Sequence, residues 1–374
     1  MSQSPKRVLH VVRAMNRGGI ETWLMHLLRR MDPRRVHMDF LVQTAEPAAY
    51  DAEIVERGGR LLRCCTPVWS PLYFRHLEQI VRDSGGYDAV HSHVHHFSGW
   101  VLGVARRCGV AVRIAHSHTD SFSADQSSPW SRRCYLSASK RAIRAFATRL
   151  VGVSRVAGRA LFGDGWQNDP RSLLLHCGID FSPFRKGAGR CDARRLWNIG
   201  DDEFLVGHVG RFDAPKNHSF LLEVFAEVVR RRERSRLILA GDGVLRAQIE
   251  QRARDLGVAE KTIFAGVRDD IPRLLEAIDA FVFPSIREGL PLAVVESQAA
   301  GAPCIISDAI SEETDVIRRL IHRVALARTA GEWAEIVLNS AHPLAPKSVS
   351  LADLEQSSFD ISYCTEQVYG LYCA

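Results

Sequence analysis

A chain of 374 residues, 46% hydrophobic and 25% charged, is too apolar for a disordered segment and has room for two domains of ordinary size. No apolar run approaches the ~20 residues of a membrane span, and residues 8–12 are cut off by Arg13, so neither a transmembrane helix nor a signal peptide is expected. The net charge of +6 is uneven: residues 1–180 hold 25 Lys and Arg against 15 Asp and Glu, and residues 181–374 hold 24 against 28. The first half is therefore expected to face something anionic, whether nucleic acid, a membrane surface or a phosphorylated lipid.

Short apolar runs alternate with amphipathic helical segments. Strands are expected at 7–13, 37–43, 60–64, 88–92, 112–116, 149–153 and 172–177, then at 205–210, 236–240, 262–265, 279–284, 304–307 and 322–326. Near-continuous apolar strands separated by helices are the pattern of parallel sheets covered on both faces. The fold class read from this is α/β, two doubly wound Rossmann-like domains in tandem. They span 1–183 and 184–374, joined through the Pro- and Gly-rich stretch 182–189, with the last helix free to pack back on the first domain. Nine cysteines, an odd number without paired C-x-x-C spacing, fit a reducing compartment better than a disulfide framework.

Ligands of open parallel sheets sit beyond the carboxyl ends of the strands, and each motif falls at such an end. The first strand runs into Gly18-Gly19 ahead of a helix carrying Leu24, Leu27, Leu28 and Met31, where exposed N–H groups suit a phosphate. The spacing is not G-x-G-x-x-G, so a nicotinamide cofactor is not expected. His91, His93, His95 and His96, then His116 and His118, crowd two later strand ends. Imidazole suits metals, but i, i+2 pairs are not a zinc signature and no D-x-D pair exists to hold a divalent ion on a nucleotide, so no metal is expected. Residues 131–149 read as a basic amphipathic helix, with Arg133, Lys140, Arg141 and Arg144 among Tyr135, Leu136, Ile143 and Phe146. Such a helix suits an anionic membrane surface or a solvated face over a core.

In the second series, Gly210-Arg211 ends a strand and Lys216 follows on the loop; together they can clamp a diphosphate. Residues 283–296 join a strand to a helix, with Pro291 suited to its first turn. That arrangement leaves the N–H groups of Gly289 and Leu290 as a second anion site. Glu296 sits inside the helix among apolar neighbours, where an unpaired carboxylate is costly, and Glu288 lies earlier on the loop.

Taken in order, Gly18-Gly19-Ile20-Glu21, the Val-Gly-Val-Ser of 151–154, Gly178-Ile179-Asp180, Gly210-Arg211 with Lys216, Ala240-Gly-Asp-Gly243, Phe264-Ala-Gly-Val267 and Glu288-Gly-Leu-Pro291 with Glu296 resemble the retaining glycosyltransferases of family 4. These have the GT-B fold, two Rossmann-like domains facing a cleft. Arg17-Gly-Gly-Ile-Glu-Thr-Trp23, Arg113-Ile-Ala-His-Ser-His-Thr119 and Ser311-Glu-Glu-Thr-Asp-Val316 look most like enzymes that assemble exopolysaccharide or capsule units. Cys177 departs from the pattern, standing where an asparagine is usual.

By that resemblance Arg211 and Lys216 hold the donor diphosphate, Glu296 the ribose, the backbone near Val267 the base and Glu288 the sugar hydroxyls. Gly18-Gly19 completes the diphosphate cradle, and a histidine, His118 or in the other register His116, lies beside the transferred sugar. The implied activity is transfer of a hexose from a nucleoside-diphosphate sugar, uridine by default, to a glycan or lipid-linked acceptor, with retention of configuration and without metal or cofactor. The implied place is bacterial polysaccharide biosynthesis, in the cytoplasm or peripherally on the inner face of the membrane. A nucleotide-sugar epimerase is the first rival. A non-catalytic nucleic-acid-binding protein is the second, opposed by the 8% of aromatics and the absence of a binding motif, so no nucleic-acid partner is expected.

Overall fold

The computed structural model describes residues 4–122, 125, 128–185, 189–340 and 347–373, with 347–350 by backbone alone. Each expected strand is present, its ends shifted by at most three residues. They are β1 (Lys6–Val12), β2 (Val36–Val42), β3 (Leu61–Arg63), β4 (Ala89–Ser92), β5 (Val112–Ser117), β6 (Arg149–Gly152) and β7 (Ser172–Leu174), followed by β8 (Phe204–Val209), β9 (Ser235–Ala240), β10 (Thr262–Gly266), β11 (Ala280–Phe283), β12 (Cys304–Ser307) and β13 (Ile321–Val324).

The first seven form a sheet in the order β3-β2-β1-β4-β5-β6-β7 and the last six one in the order β10-β9-β8-β11-β12-β13. The neighbours run parallel in both. This is the doubly wound pattern, with the order reversing between β1 and β4 and again between β8 and β11. Leu9, Val11 and Val90 pack with Tyr73, Leu77 and Val101 in the first core, and Phe204, Leu237 and Leu239 with Phe225 and Trp333 in the second.

The chain divides into two units, Met1–Ile179 with Ile361–Ala374, and Asp180–Asp360. The stretch expected to be a linker begins instead as the helix Ser182–Arg185, because Phe184 is buried and Arg185 donates to Glu355 at 2.5 Å within the second unit. Residues 186–188 of that stretch lie outside the described residues. The last helix, Ile361–Cys373, packs on β1 and on the helix Gly19–Arg30 of the first unit. Trp23 Nε1 donates to Cys364 Sγ at 3.2 Å, and the Asp32 N–H to the Tyr369 hydroxyl at 2.6 Å. Close approach requires Gly178 there, since a Cβ would stand 2.6 Å from that of Cys364.

Candidate active site

In the second unit the expected donor residues leave β8, β10 and β11 at their carboxyl ends. Gly210 follows β8, and a Cβ there would come within 2.9 Å of His208 Nε2 and 3.3 Å of Lys216 Cδ. Glycine thus lets the lysine stem lie across the strand end. The next turn is tighter still: a Cβ on Gly241 would sit 2.0 Å from the Gly210 carbonyl oxygen, and one on Gly243 2.5 Å from that of Phe212. Phe212 N–H in turn donates to the Asp242 carbonyl at 2.9 Å. The Gly-Asp-Gly turn therefore clamps the backbone that carries Arg211, whose exposed guanidinium has no partner among the described residues.

Lys216 is held differently. Asn217, in the left-handed region at φ 57°, donates from Nδ2 to the Pro284 carbonyl at 3.2 Å, and Ile286 N–H donates to the Pro215 carbonyl at 2.8 Å. These two bonds tie the loop after β8 to the loop after β11. Across them Lys216 Nζ donates to Glu288 Oε1 at 2.7 Å, and the ammonium lies 4.8 Å from the centre of the Phe283 ring. With side chains only 18% and 12% exposed, the pair is one in which removing either charge strands the other.

The helix after this loop is Leu292–Ala299, and Pro291 is its N-cap, one position earlier than expected, without a side-chain cap bond. The first-turn N–H groups thus lack a side-chain acceptor from that residue. Glu296 lies within this helix, and burial pushes its carboxyl up to about 7. Its carboxylate has no hydrogen-bond or ion-pair partner among the described residues. Gly289 is buried, Leu290 is half-buried, and Val267, after Gly266 at φ 68°, is 52% exposed at the end of β10.

The first unit carries Gly18, Gly19, His116 and His118. Gly18 is the extended N-cap of the helix Gly19–Arg30, again without a side-chain cap, and beyond its chain neighbours and its own helix backbone a Cβ on Gly19 would meet nothing within 4 Å among the described residues. The histidines form a buried layer. His10 on β1 is in register with His91 on β4, and i, i+2 spacing along a strand puts His91 with His93, and His116 with His118, on one face.

His118 Nδ1 lies 4.0 Å from Cys177 Sγ, and its Nε2 2.9 Å from His93 Nδ1. His93 Nε2 is 3.1 Å from His10 Nδ1, and Tyr372 of the last helix links His10 Nε2 (3.3 Å) to His91 Nδ1 (2.8 Å). His91 Nε2 continues to His116 Nδ1 at 3.0 Å. Trp23 stands edge-on to His116, with centroids 5.2 Å apart. Burial holds His10 and His118 down to about 3 and His91, His93 and His116 well below the usual imidazole range, so all five are neutral. His116 is fully buried and His118 half-buried, which leaves His118 the better placed of the two to meet a ligand.

Residues 18–175 match the family described as a glycosyl transferase 4-like domain, and residues 190–338 match the glycosyl transferases group 1. EpsF of Bacillus subtilis, named as a glycosyltransferase, is 40% identical over 100% of this chain and 97% of its own length. The chain belongs to the glycosyltransferases. A capsular polysaccharide biosynthesis glycosyltransferase of Staphylococcus aureus, CapH, is 23% identical over 98% of both chains. Among solved structures, HepE of Anabaena, crystallised with UDP and glucose, superposes with a TM-score of 0.80 at 18% identity, covering 98% of this chain and 99% of that one. The two-domain GT-B fold is thereby established for this glycosyltransferase.

The sequence suggested Lys216 for the diphosphate and Glu288 for the sugar hydroxyls, and Glu288 and Glu296 as two separate grips; the structure pairs Lys216 with Glu288 directly. Sequence reasoning missed His10, Tyr372 and Trp23. A lone histidine in the apolar run of β1 was the available signal for the first; nothing local to residues 361–373 signals that Tyr372 returns to the first sheet.

Proposed function

We propose that this glycosyltransferase is a retaining enzyme of family 4 that moves a hexose from a nucleoside-diphosphate sugar, UDP by default, to a glycan or lipid-linked acceptor in polysaccharide biosynthesis. The observation that carries the reading is the Arg211 guanidinium past the end of β8, without a partner among the described residues and next in chain to a loop whose lysine is already oriented by Glu288. Two cations there neutralise a departing diphosphate, so no divalent ion is needed on the donor. Glu296, an unpartnered carboxylate in an apolar helix, supplies acceptors for ribose hydroxyls. Glu288 orients sugar hydroxyls while bound to Lys216, and a carboxylate so engaged is a poor nucleophile. That favours retention through attack of the acceptor on the face the diphosphate leaves, with the diphosphate taking the acceptor's proton.

HepE, with UDP and glucose bound, supports a UDP-sugar donor by analogy of fold, and CapH a role in capsule-like polymers. No described helix is long and apolar enough to cross a membrane. The helix Trp130–Phe146 buries Leu136, Ser139, Ala142 and Ile143 and exposes Trp130, Arg133 and Arg141, a face suited to peripheral contact with anionic lipid on the cytoplasmic side.

A thermal-shift panel with UDP, GDP, ADP and their sugars, with and without EDTA, tests the reading. Stabilisation by one nucleotide, unchanged by chelator, is the expected result, and no shift with any of them would refute it.

A further inference from the structure

We propose that the first unit binds one transition-metal ion of the zinc class through His93, His116 and His118. One ring nitrogen from each of these three residues lies within 4.8 Å of the other two. His93 Nδ1 and His118 Nε2 face each other at 2.9 Å, and His116 Nε2 is buried and has no hydrogen-bond partner among the described residues. Among the ten ring nitrogens of the layer it is the one left without such a partner among the described residues, and a buried polar atom so left is a place for a missing group.

Five neutral imidazoles each have one N–H and one lone pair. Without an ion, the hydrogen bonds of the layer occupy every ring nitrogen except His116 Nε2. With an ion, His93 Nδ1, His118 Nε2 and His116 Nε2 turn lone pairs to it, and the opposite nitrogen of each carries the N–H. His93 Nε2 then donates to His10 Nδ1 (3.1 Å), His116 Nδ1 to His91 Nε2 (3.0 Å) and His118 Nδ1 towards Cys177 Sγ (4.0 Å).

His10 Nε2 and His91 Nδ1 are left as donors, and both reach the Tyr372 oxygen, at 3.3 and 2.8 Å, which has two lone pairs to receive them. No proton has to be gained or lost and all ten nitrogens are used, while the Tyr372 O–H gives up its two histidine acceptors and has no other among the described residues. Each ligand thereby has the outer partner that fixes its tautomer, as metal-bound histidines generally do.

His10, His91 and His93 also approach within 4.8 Å, but every nitrogen of that trio is already engaged, and only the trio containing His116 has one to spare. The i, i+2 spacing that argued against a metal in the sequence is a helical criterion. On a strand it points two imidazoles the same way, and the neighbouring parallel strand adds the third. Neutral imidazole selects zinc, copper, iron or nickel over magnesium or calcium, and three protein ligands leave a fourth position for water or an anionic oxygen. The half-buried His118 is the side on which that position opens. The proposal departs from the expectation of a metal-free chain, and it gives to the ion His118, the histidine expected beside the transferred sugar.

The test uses the full-length chain and no sugar. Protein stripped with chelator is titrated with Co²⁺ and followed by visible absorption and by elemental analysis after desalting. One ion per chain with the absorption of four-coordinate cobalt is expected. His116→Gln is expected to abolish it, and His10→Phe to keep the stoichiometry with an affinity weaker by about 10–100-fold. Folding of each variant is checked by circular dichroism. Failure of the folded wild-type chain to take up the ion overturns the proposal. So does a folded His116→Gln that binds as wild type, or a folded His10→Phe that binds none, which would put the ion on the other trio; because wild-type uptake decides first, a variant that does not fold leaves the proposal open to refutation.

Discussion

β1, β4 and β5 of the first sheet and β8, β11 and β12 of the second occupy equivalent places in the same strand order, yet the two sheets handle polarity in opposite ways. The first buries four uncharged imidazoles, His10, His91, His93 and His116, beside Trp23 and the last helix and closes them with the half-buried His118 into one hydrogen-bonded layer. The second buries His208 on β8 and places Arg211, Lys216 and Glu288 on loops past its strand ends. The difference follows from the cost of desolvation. A neutral ring can be buried once its two nitrogens have partners, whereas a lone charge cannot, and it stays where a ligand or water can reach it.

Several substitutions break or sharpen that contrast. The largest effect is expected at the loops: Arg211→Ala and Lys216→Ala should each lower turnover by about 10²–10³, the usual cost of one charge-stabilising donor, in a donor-consumption assay. Lys216→Ala also strands Glu288, so adding Glu288→Gln is expected to recover thermal stability but not turnover. Gly241→Ala follows. Its Cβ would meet the Gly210 carbonyl at 2.0 Å and its φ is 137°, so urea melts are expected to show a loss of about 3 kcal/mol or more.

In the first unit, Tyr372→Phe leaves His10 Nε2 and His91 Nδ1 without their shared partner and is expected to cost about 1–3 kcal/mol by the same measurement.

Glu296→Gln is the mildest of the series and the one whose effect changes with pH. The carboxyl titrates near 7 in the folded chain against a usual 4.5. Between those values the folded state holds the extra proton, so this group's contribution to stability falls as pH rises through that window. Without ligand, Glu296→Gln is expected to melt higher than wild type at pH 8 and equally at pH 4. If the ionised carboxylate receives ribose hydroxyls, wild-type nucleotide affinity rises as pH passes about 7, and the variant, flat with pH, binds about tenfold more weakly at pH 8. A variant with the wild-type pH profile would remove Glu296 from the site.

Legibility in the sequence divides along the same line. The strands of both sheets were readable because burial on both faces demands continuous apolar runs, as in Phe281 to Phe283. The loop residues were readable because glycine, arginine and proline at strand ends have local physical reasons. Contacts across sequence distance were not. The bonds from Asn217 to Pro284 and from Ile286 to Pro215, which set Lys216 beside Glu288, join loops some 70 residues apart. The link from Tyr372 to His91 spans 281 positions. Nor does the segment 182–185 announce its short helix, since Pro183 and the glycines beyond it look like a linker until Phe184 finds a core.

In the proposed function Arg211 and Lys216 are the grip on a nucleoside diphosphate. Isothermal titration of UDP into the wild-type chain and into Arg211→Ala and Lys216→Ala, all in EDTA, tests it. One UDP per wild-type chain in the presence of chelator, with affinity reduced at least tenfold in each variant, is the predicted result; binding that needs added divalent ion, or that both variants retain in full, would contradict it.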